Sequence, residues 1–375
     1  MRKQKSDPIS DVVIVGGGAV GSATAYLLSK EGISVTLILG STFGKTASWF
    51  AAGLLSPLSQ TVHNQDTLTS LSSQGFNLHQ TLAPELLEIT GLDYQARRQD
   101  SIYLSKTKEG TAKLETLMSL SKQIKGISGH WLDQNDLRSL DPRIKSASPT
   151  SLLIEGTWIL DSHGYTNALM QGARRKGARI VNGSVTGITK SGASFQIMVG
   201  GNCINTEKLV LSMGPWTNLA KEWLNIAIPV SPLKGQILRI ELSGPTLVYS
   251  VHNGNDYVTS KPNGLVWAGT TEEDVGFSDN PTTQGRKSII SNVSPFFPAI
   301  STGTVKSHTA CLRPVTPDGL PILGKTSKSD GIYIATGAGR KGILLSPSMA
   351  TIICQLISDA KPSVNLCSFS PDRFI

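Results

Sequence analysis

The sequence predicts an α/β protein in which a Rossmann-like nucleotide-binding domain is interleaved with an antiparallel-sheet α+β domain. Three observations carry this. A glycine-rich turn, Gly16-Gly17-Gly18-Ala19-Val20-Gly21, lies between two short apolar runs near the start of the chain. A second glycine-rich strand-to-helix junction, Gly337-Ala338-Gly339 to Gly342, stands near its end. Strand-like segments dominate residues 229–271, with turn signals at Asn253-Gly254 and Asn263-Gly264. The two styles alternate along the chain, so both predicted domains are discontinuous.

The apolar run from Asp11 to Val15, ending at Gly16, reads as a strand buried on both faces. Ser22 to Lys30 reads as a helix closed by Glu31-Gly32, and Ile33 to Leu39 as a second strand, completing a βαβ unit of about 30 residues. In that setting the glycines have distinct tasks: Gly16 makes the tight turn, Gly18 lets backbone approach a pyrophosphate, and Gly21 lets helix and strand pack closely. The helix N-terminus offers free N–H groups and partial positive charge to phosphates. A dinucleotide site is the expectation.

After Gly53 the pattern is less regular, with polar helical stretches at 68–90 and 108–125 and a capped short helix around Trp131 to Leu137, before Asp141-Pro142. The βα style returns with a helix over 164–175, a strand over 178–188, and Lys208 to Ser212 running into Gly214. At the end, Gly331 to Thr336 is an apolar strand and a helix extends to about Ser358.

Composition narrows the class. Of 375 residues, 39% are hydrophobic and 17% charged, and the 37 glycines and 19 prolines are spread along the chain, which fits a globular protein and not a low-complexity one. No apolar run reaches the roughly 18 residues of a membrane helix, so no membrane span is expected. The net charge of +8 is dispersed, its densest groups being Arg2, Lys3 and Lys5 and the run Arg174-Arg175-Lys176, without interleaved aromatics. That argues for a solvated basic surface and against a nucleic-acid partner. Cys203, Cys311, Cys354 and Cys367 form no CxxC pair, and the six histidines form no HxxH pattern, so no metal is indicated. The N-terminal ten residues have charge but no apolar core, which reads as no secretory signal and a cytoplasmic location. No G-x-S-x-G nucleophile motif occurs.

Four blocks carry a resemblance: DVVIVGGGAVGSATAYLLSKEG at 11–32, TASWFAAGLLSP at 46–57, LRPVTPDGLPILG at 312–324 and GIYIATGAGRKGILLSP at 331–347. In type and order they resemble the FAD-dependent D-amino-acid oxidase superfamily, in its glycine oxidase and sarcosine oxidase-like branch. The resemblance implies FAD bound by segments 1–57, 150–222 and 310–375, with substrate held by 58–149 and 223–309. It implies oxidation of a small carboxylated amine, with electrons passing to O₂ or an electron carrier, and a homo-oligomer is compatible with it.

Residue by residue, Arg313 matches the family arginine that pairs with the substrate carboxylate; a planar guanidinium suits that task because it offers two parallel N–H donors. Arg340 matches a second family arginine, for which capping or phosphate contact stands beside substrate contact. Tyr257 matches a tyrosine over the flavin, with an ordinary sheet-face aromatic and Tyr249 as competing assignments. For the cofactor, the resemblance implies Gly16, Gly18, Ala19, Val20 and Gly21, then Leu39 and Gly40 at the end of the second strand. It adds the small-residue loop of Ala47, Ser48, Ala52, Gly53 and Leu54, Val185 on the adenine side, and Gly339, Gly342, Ile343 and Leu344 over the flavin. Backbone N–H groups reach a cofactor best past small side chains.

Two departures stand out. The fingerprint places an acid at the end of the second strand for the ribose, but Leu37-Ile38-Leu39-Gly40-Ser41 has none, so Ser41, backbone or water is expected there. Cys311 matches the cysteine through which sarcosine oxidases attach flavin covalently, whereas glycine oxidases hold it without a bond; non-covalent FAD is the expectation, with a thioether through Cys311 as the alternative.

Overall fold

The structure is a computed structural model and describes residues 10–40, 46–58, 65–105 and 107–374. Arg2, Lys3, Lys5 and Ser41 lie outside the described residues. Its first large sheet has six strands. Strand β1 (Val12–Val15) lies at the centre, with β2 (Val35–Leu39) and then Arg179–Asn182 on one side, and Lys208–Leu211, Ile332–Thr336 and Ile322–Lys325 on the other. All run parallel except the edge strand Ile322–Lys325.

Both faces of this sheet are covered, which is why its strands are continuously apolar. Val12, Ile14, Leu37 and Leu39 join a core with helix α1 (Ala19–Lys30) and the helices Ser162–Arg175 and Gly342–Ile357. Val13, Val15 and Ile38 join the core formed by the small antiparallel sheet of Val185–Ser191, Ser194–Val199 and Asn202–Thr206. The long helix Gln65–Thr90 closes on Gly342–Ile357 at Gly75, where a Cβ would lie 2.3 Å from the Leu344 carbonyl oxygen. No helix among the described residues is long and apolar enough to cross a membrane.

The second large sheet has eight strands, in the order Thr304–Val315, Ser231–Glu241, Val266–Gly269, Asp256–Ser260, Ser250–Asn253, Ser101–Leu104, Ser151–Glu155 and Ser128–Leu132. Its neighbours are antiparallel apart from the parallel pair Ser250–Asn253 and Ser101–Leu104. Strand alternation splits its residues between two faces. Leu238, Ile240, Val258 and Ala268 pack with Phe296 and Phe297 beneath helix Thr283–Val293, while Ile237, Tyr257 and Trp267 meet Ala52 and Leu54. Ser151–Glu155 pairs in this sheet, although it falls in the 150–222 segment expected with the nucleotide-binding part.

Three local expectations are corrected. Helix α1 starts at Ala19, not Ser22, because Gly18 already serves as its N-cap. The stretch 178–188 is two strands in different sheets, broken at Gly183 with φ +155°. Trp131 and Leu132 end a strand, and the short helix is Gln134–Leu140. A reciprocal capping box starts it: Asp133 accepts from the Asp136 N–H at 2.8 Å and Asp136 accepts from the Asp133 N–H at 3.0 Å.

Candidate active site

A cleft of about 720 Å³ opens where the parallel strands end and the second large sheet presents its Tyr257 face. That position, at the carboxyl ends of parallel strands, is where open α/β sheets bind ligands, and the volume lies in the usual range of roughly 300–1,000 Å³.

The structure brings nearly all the expected cofactor residues to this cleft: Gly16 to Val20, Gly40, Ala47 and Ser48, Ala52 to Leu54, Val185, and Gly339 to Leu344. Gly21 does not line it, in keeping with a packing task, since a Cβ there would lie 1.8 Å from the Gly16 carbonyl oxygen. Leu39 does not line it either. Its side chain is 3% exposed and packs in the core, leaving Ile38 and Gly40, the residue just past β2, at the cleft.

Gly16 has φ +111°, and a Cβ would come within 2.4 Å of the Ser212 carbonyl oxygen, so both conformation and space require glycine. The first-turn N–H groups of α1 have no intrahelical partner. That of Ala19 goes to Ser48 Oγ at 2.9 Å, and the helix has neither a side-chain cap nor an acid in its first turn. Helix Gly342–Ile357, which also begins in the cleft, likewise lacks both. Two uncapped N-termini set among apolar walls such as Leu54, Val185, Ile343 and Leu344 fit a pyrophosphate flanked by flat ring systems. The residues therefore fit FAD.

The loop carrying Ala52 and Gly53 is held by a lysine the sequence did not mark. Lys261 is 5% exposed; its Nζ donates to the Ala52 carbonyl and, at 2.8 Å, to the Leu160 carbonyl, and it lies 5.0 Å from the Trp267 ring centre. Burial pulls its pKa down from 10.5 to about 7. Arg239 covers the same ring at 4.2 Å. In sequence, Lys261-Pro262-Asn263-Gly264 looks like an exposed turn, and only the packing of Trp267 shows otherwise.

At the other end, Arg313 is buried on Thr304–Val315; its Nη2 donates to Thr270 Oγ1 at 2.6 Å and its Nη1 to the Thr271 carbonyl at 3.2 Å. Burial lowers its pKa, yet guanidinium stays charged. Arg340 donates through Nη2 to the Asn255 carbonyl at 3.0 Å, and its Nη1 lies 3.3 Å from Glu272 Oε1. Both contacts belong to the large sheet's end of the cleft. Tyr257 lines the cleft, whereas Tyr249 packs in the core on the opposite face. Burial raises the Tyr257 pKa, keeping a neutral O–H. His252, stacked on Tyr103 at 4.7 Å, is held neutral with a pKa lowered to about 3 by burial and by Arg340. Cys311 also lines the cleft as a free thiol, its pKa pushed up by burial. Glu272, Asn255 and His252 had no motif to reveal them.

Comparison with known proteins agrees with this fold. The profile of the family described as DAO, FAD dependent oxidoreductase, matches residues 11–356. Glycine oxidase from Geobacillus kaustophilus is 27% identical over 368 residues, covering 97% of each chain. Glycine oxidase from Pseudomonas aeruginosa is 26% identical over 376 residues, covering 96% of this chain and 98% of the relative. The crystal structure of the Geobacillus kaustophilus enzyme superposes with a TM-score of 0.92 at 26% identity, covering 98% of this chain and 100% of that one. Both glycine junctions and both large sheets fall inside the matched span, and the chain belongs to the DAO family of FAD-dependent oxidoreductases.

Proposed function

We propose that this enzyme oxidises a small amino acid or secondary amine bearing one carboxylate, of the glycine, sarcosine or D-amino-acid type. The amine becomes an imine, which water hydrolyses to an oxo acid and ammonia or an amine. Dioxygen is the final electron acceptor and hydrogen peroxide the co-product. Bound FAD, held without a covalent bond, supplies the acceptor for the hydride leaving the substrate carbon.

Arg313 is the observation that carries this reading. Two of its five N–H donors go to Thr270 and Thr271, leaving three for a carboxylate in the cleft. That anchor fixes one end of a small substrate, and Tyr257, a neutral hydroxyl three strands along the same sheet that also lines the cleft, offers a further donor. The amine must be unprotonated to lose a hydride. The names of the similar enzymes, glycine oxidases from two bacteria, support the same substrate class.

The test is anaerobic mixing of the yellow protein with glycine, sarcosine, proline and a set of D-amino acids. Bleaching by at least one, followed by peroxide formation in air, is the expected result. Bleaching without peroxide assigns the electrons to a carrier instead, and no bleaching by any member refutes the reading.

A further inference from the structure

Among the described residues lining the cleft there is one carboxylate, Glu272, and it stands between the two arginines. Its Oε1 is 3.3 Å from Arg340 Nη1 and 3.7 Å from Arg313 Nη1, and its Oε2 accepts from Asn255 Nδ2 at 3.1 Å. The adjacent Glu273 faces elsewhere, to Lys234 at 2.9 Å and to Thr271 Oγ1 and Gln236 Nε2 at 2.5 and 2.6 Å. An acidic pair that looks in sequence like a solvated turn therefore divides its work. Glu273 ties strands together, whereas Glu272 supplies negative charge to the pocket.

The charge count has a consequence for substrates. Of the two guanidiniums Arg340 is already paired with Glu272, which leaves Arg313 as the one that a substrate carboxylate neutralises. A second carboxylate on the same ligand meets Glu272 and finds no guanidinium without a carboxylate partner. Arg340 is already engaged by Glu272 and the Asn255 carbonyl, and Lys341, the remaining cation of the cleft wall, donates to the Leu58 carbonyl at 3.2 Å. Like charges brought together in a partly desolvated site reject a ligand strongly.

We propose that Glu272 is a specificity-determining residue that restricts the pocket to amines with one carboxylate and bars dicarboxylates, a statement that rests on Arg313 being the carboxylate anchor. The built-in carboxylate occupies the place on Arg340 that a second acidic group of the ligand needs.

Acetate and malonate, which cannot be oxidised, test this by binding alone. Each is titrated into the FAD-loaded wild-type protein, Glu272→Gln and Glu272→Leu, and the flavin absorbance change gives Kd. Wild type should prefer acetate by roughly tenfold or more, and both variants should shift the malonate-to-acetate ratio by roughly tenfold toward malonate, the scale of one charge contact. Adding Arg340→Met to Glu272→Gln should remove that gain, which a merely structural effect of position 272 does not predict. Flavin content serves as the folding check, and two isosteric types of variant guard against one failing to fold. Anions that bind with an unchanged ratio overturn the proposal and leave the anchor intact. If neither anion binds any of the proteins, Arg313 is not a carboxylate anchor and both readings fall.

Discussion

Gly235 lies against the guanidinium of Arg313: a Cβ on Gly235 would come within 2.1 Å of Nη2 and 2.8 Å of Nη1. The pairing of Ser231–Glu241 with Thr304–Val315 creates the contact, because Leu233 faces Arg313 and Gly235 faces Cys311 two residues along. Gly235→Ala should therefore push the guanidinium out of place, an overpacking effect of about 1–3 kcal/mol. We expect KM for carboxylated substrates to rise roughly tenfold or more with flavin content unchanged. Steady-state kinetics beside flavin quantitation checks this, and an unaltered KM refutes it.

Arg313→Lys replaces a bidentate fork with a point charge. The expected loss in kcat/KM corresponds to about 2–4 kcal/mol, carried chiefly by KM, with FAD retained. Wild-type kinetics in this variant would move the anchor to Arg340.

Purified protein should be yellow. Gly16→Ala should yield colourless protein that takes up added FAD poorly, because the new Cβ meets the Ser212 carbonyl and L-residues avoid φ +111°. Absorbance after gel filtration decides it, and full flavin occupancy in the variant contradicts the assigned role of the turn.

Acid precipitation should leave all flavin in the supernatant. The Cys311 thiol, raised in pKa by burial despite Arg313 and Arg239 nearby, supplies too little thiolate to attack a flavin methyl group. Yellow colour in the pellet, lost in Cys311→Ser, is the contrary outcome.

Lys261 gives a pH signature. The unfolded chain holds its proton up to about 10.5 and the folded chain only to about 7. The unfolded state thus binds more protons between these values, so this residue makes stability rise with pH across that window. The amine that remains still has two N–H groups for the Ala52 and Leu160 carbonyls. The Tm of wild type minus that of Lys261→Met should increase from pH 7 to pH 10, and a flat or falling difference refutes the buried-lysine reading.

Much of the architecture was legible because it is written in local signals. The Gly16–Gly21 turn between apolar runs marks one wall of the cleft, and the Arg313 and Gly339–Leu344 blocks mark others. What was not legible depends on packing over distance. Lys261 and Trp267 become a pair only through sheet register, Glu272 and Arg340 only through the crossing of separate segments. Leu39 shows the converse: motif position nominated it for the cofactor, while strand alternation turned it into the core and left Gly40 at the cleft.

The candidate cofactor cleft joins the first strand–helix unit among the described residues to the one at Ile332–Ile357. Strand Ile332–Thr336 is inserted beside Lys208–Leu211, and helix Gly342–Ile357 lies on α1. A nascent chain halted before Ile332 carries the Gly16–Gly21 turn but neither the second uncapped helix end nor the wall above it. Such long-range closure comes late in folding. FAD capture then waits for residues 332–345 to be in place, and yellow colour reports molecules in which these two distant segments have met.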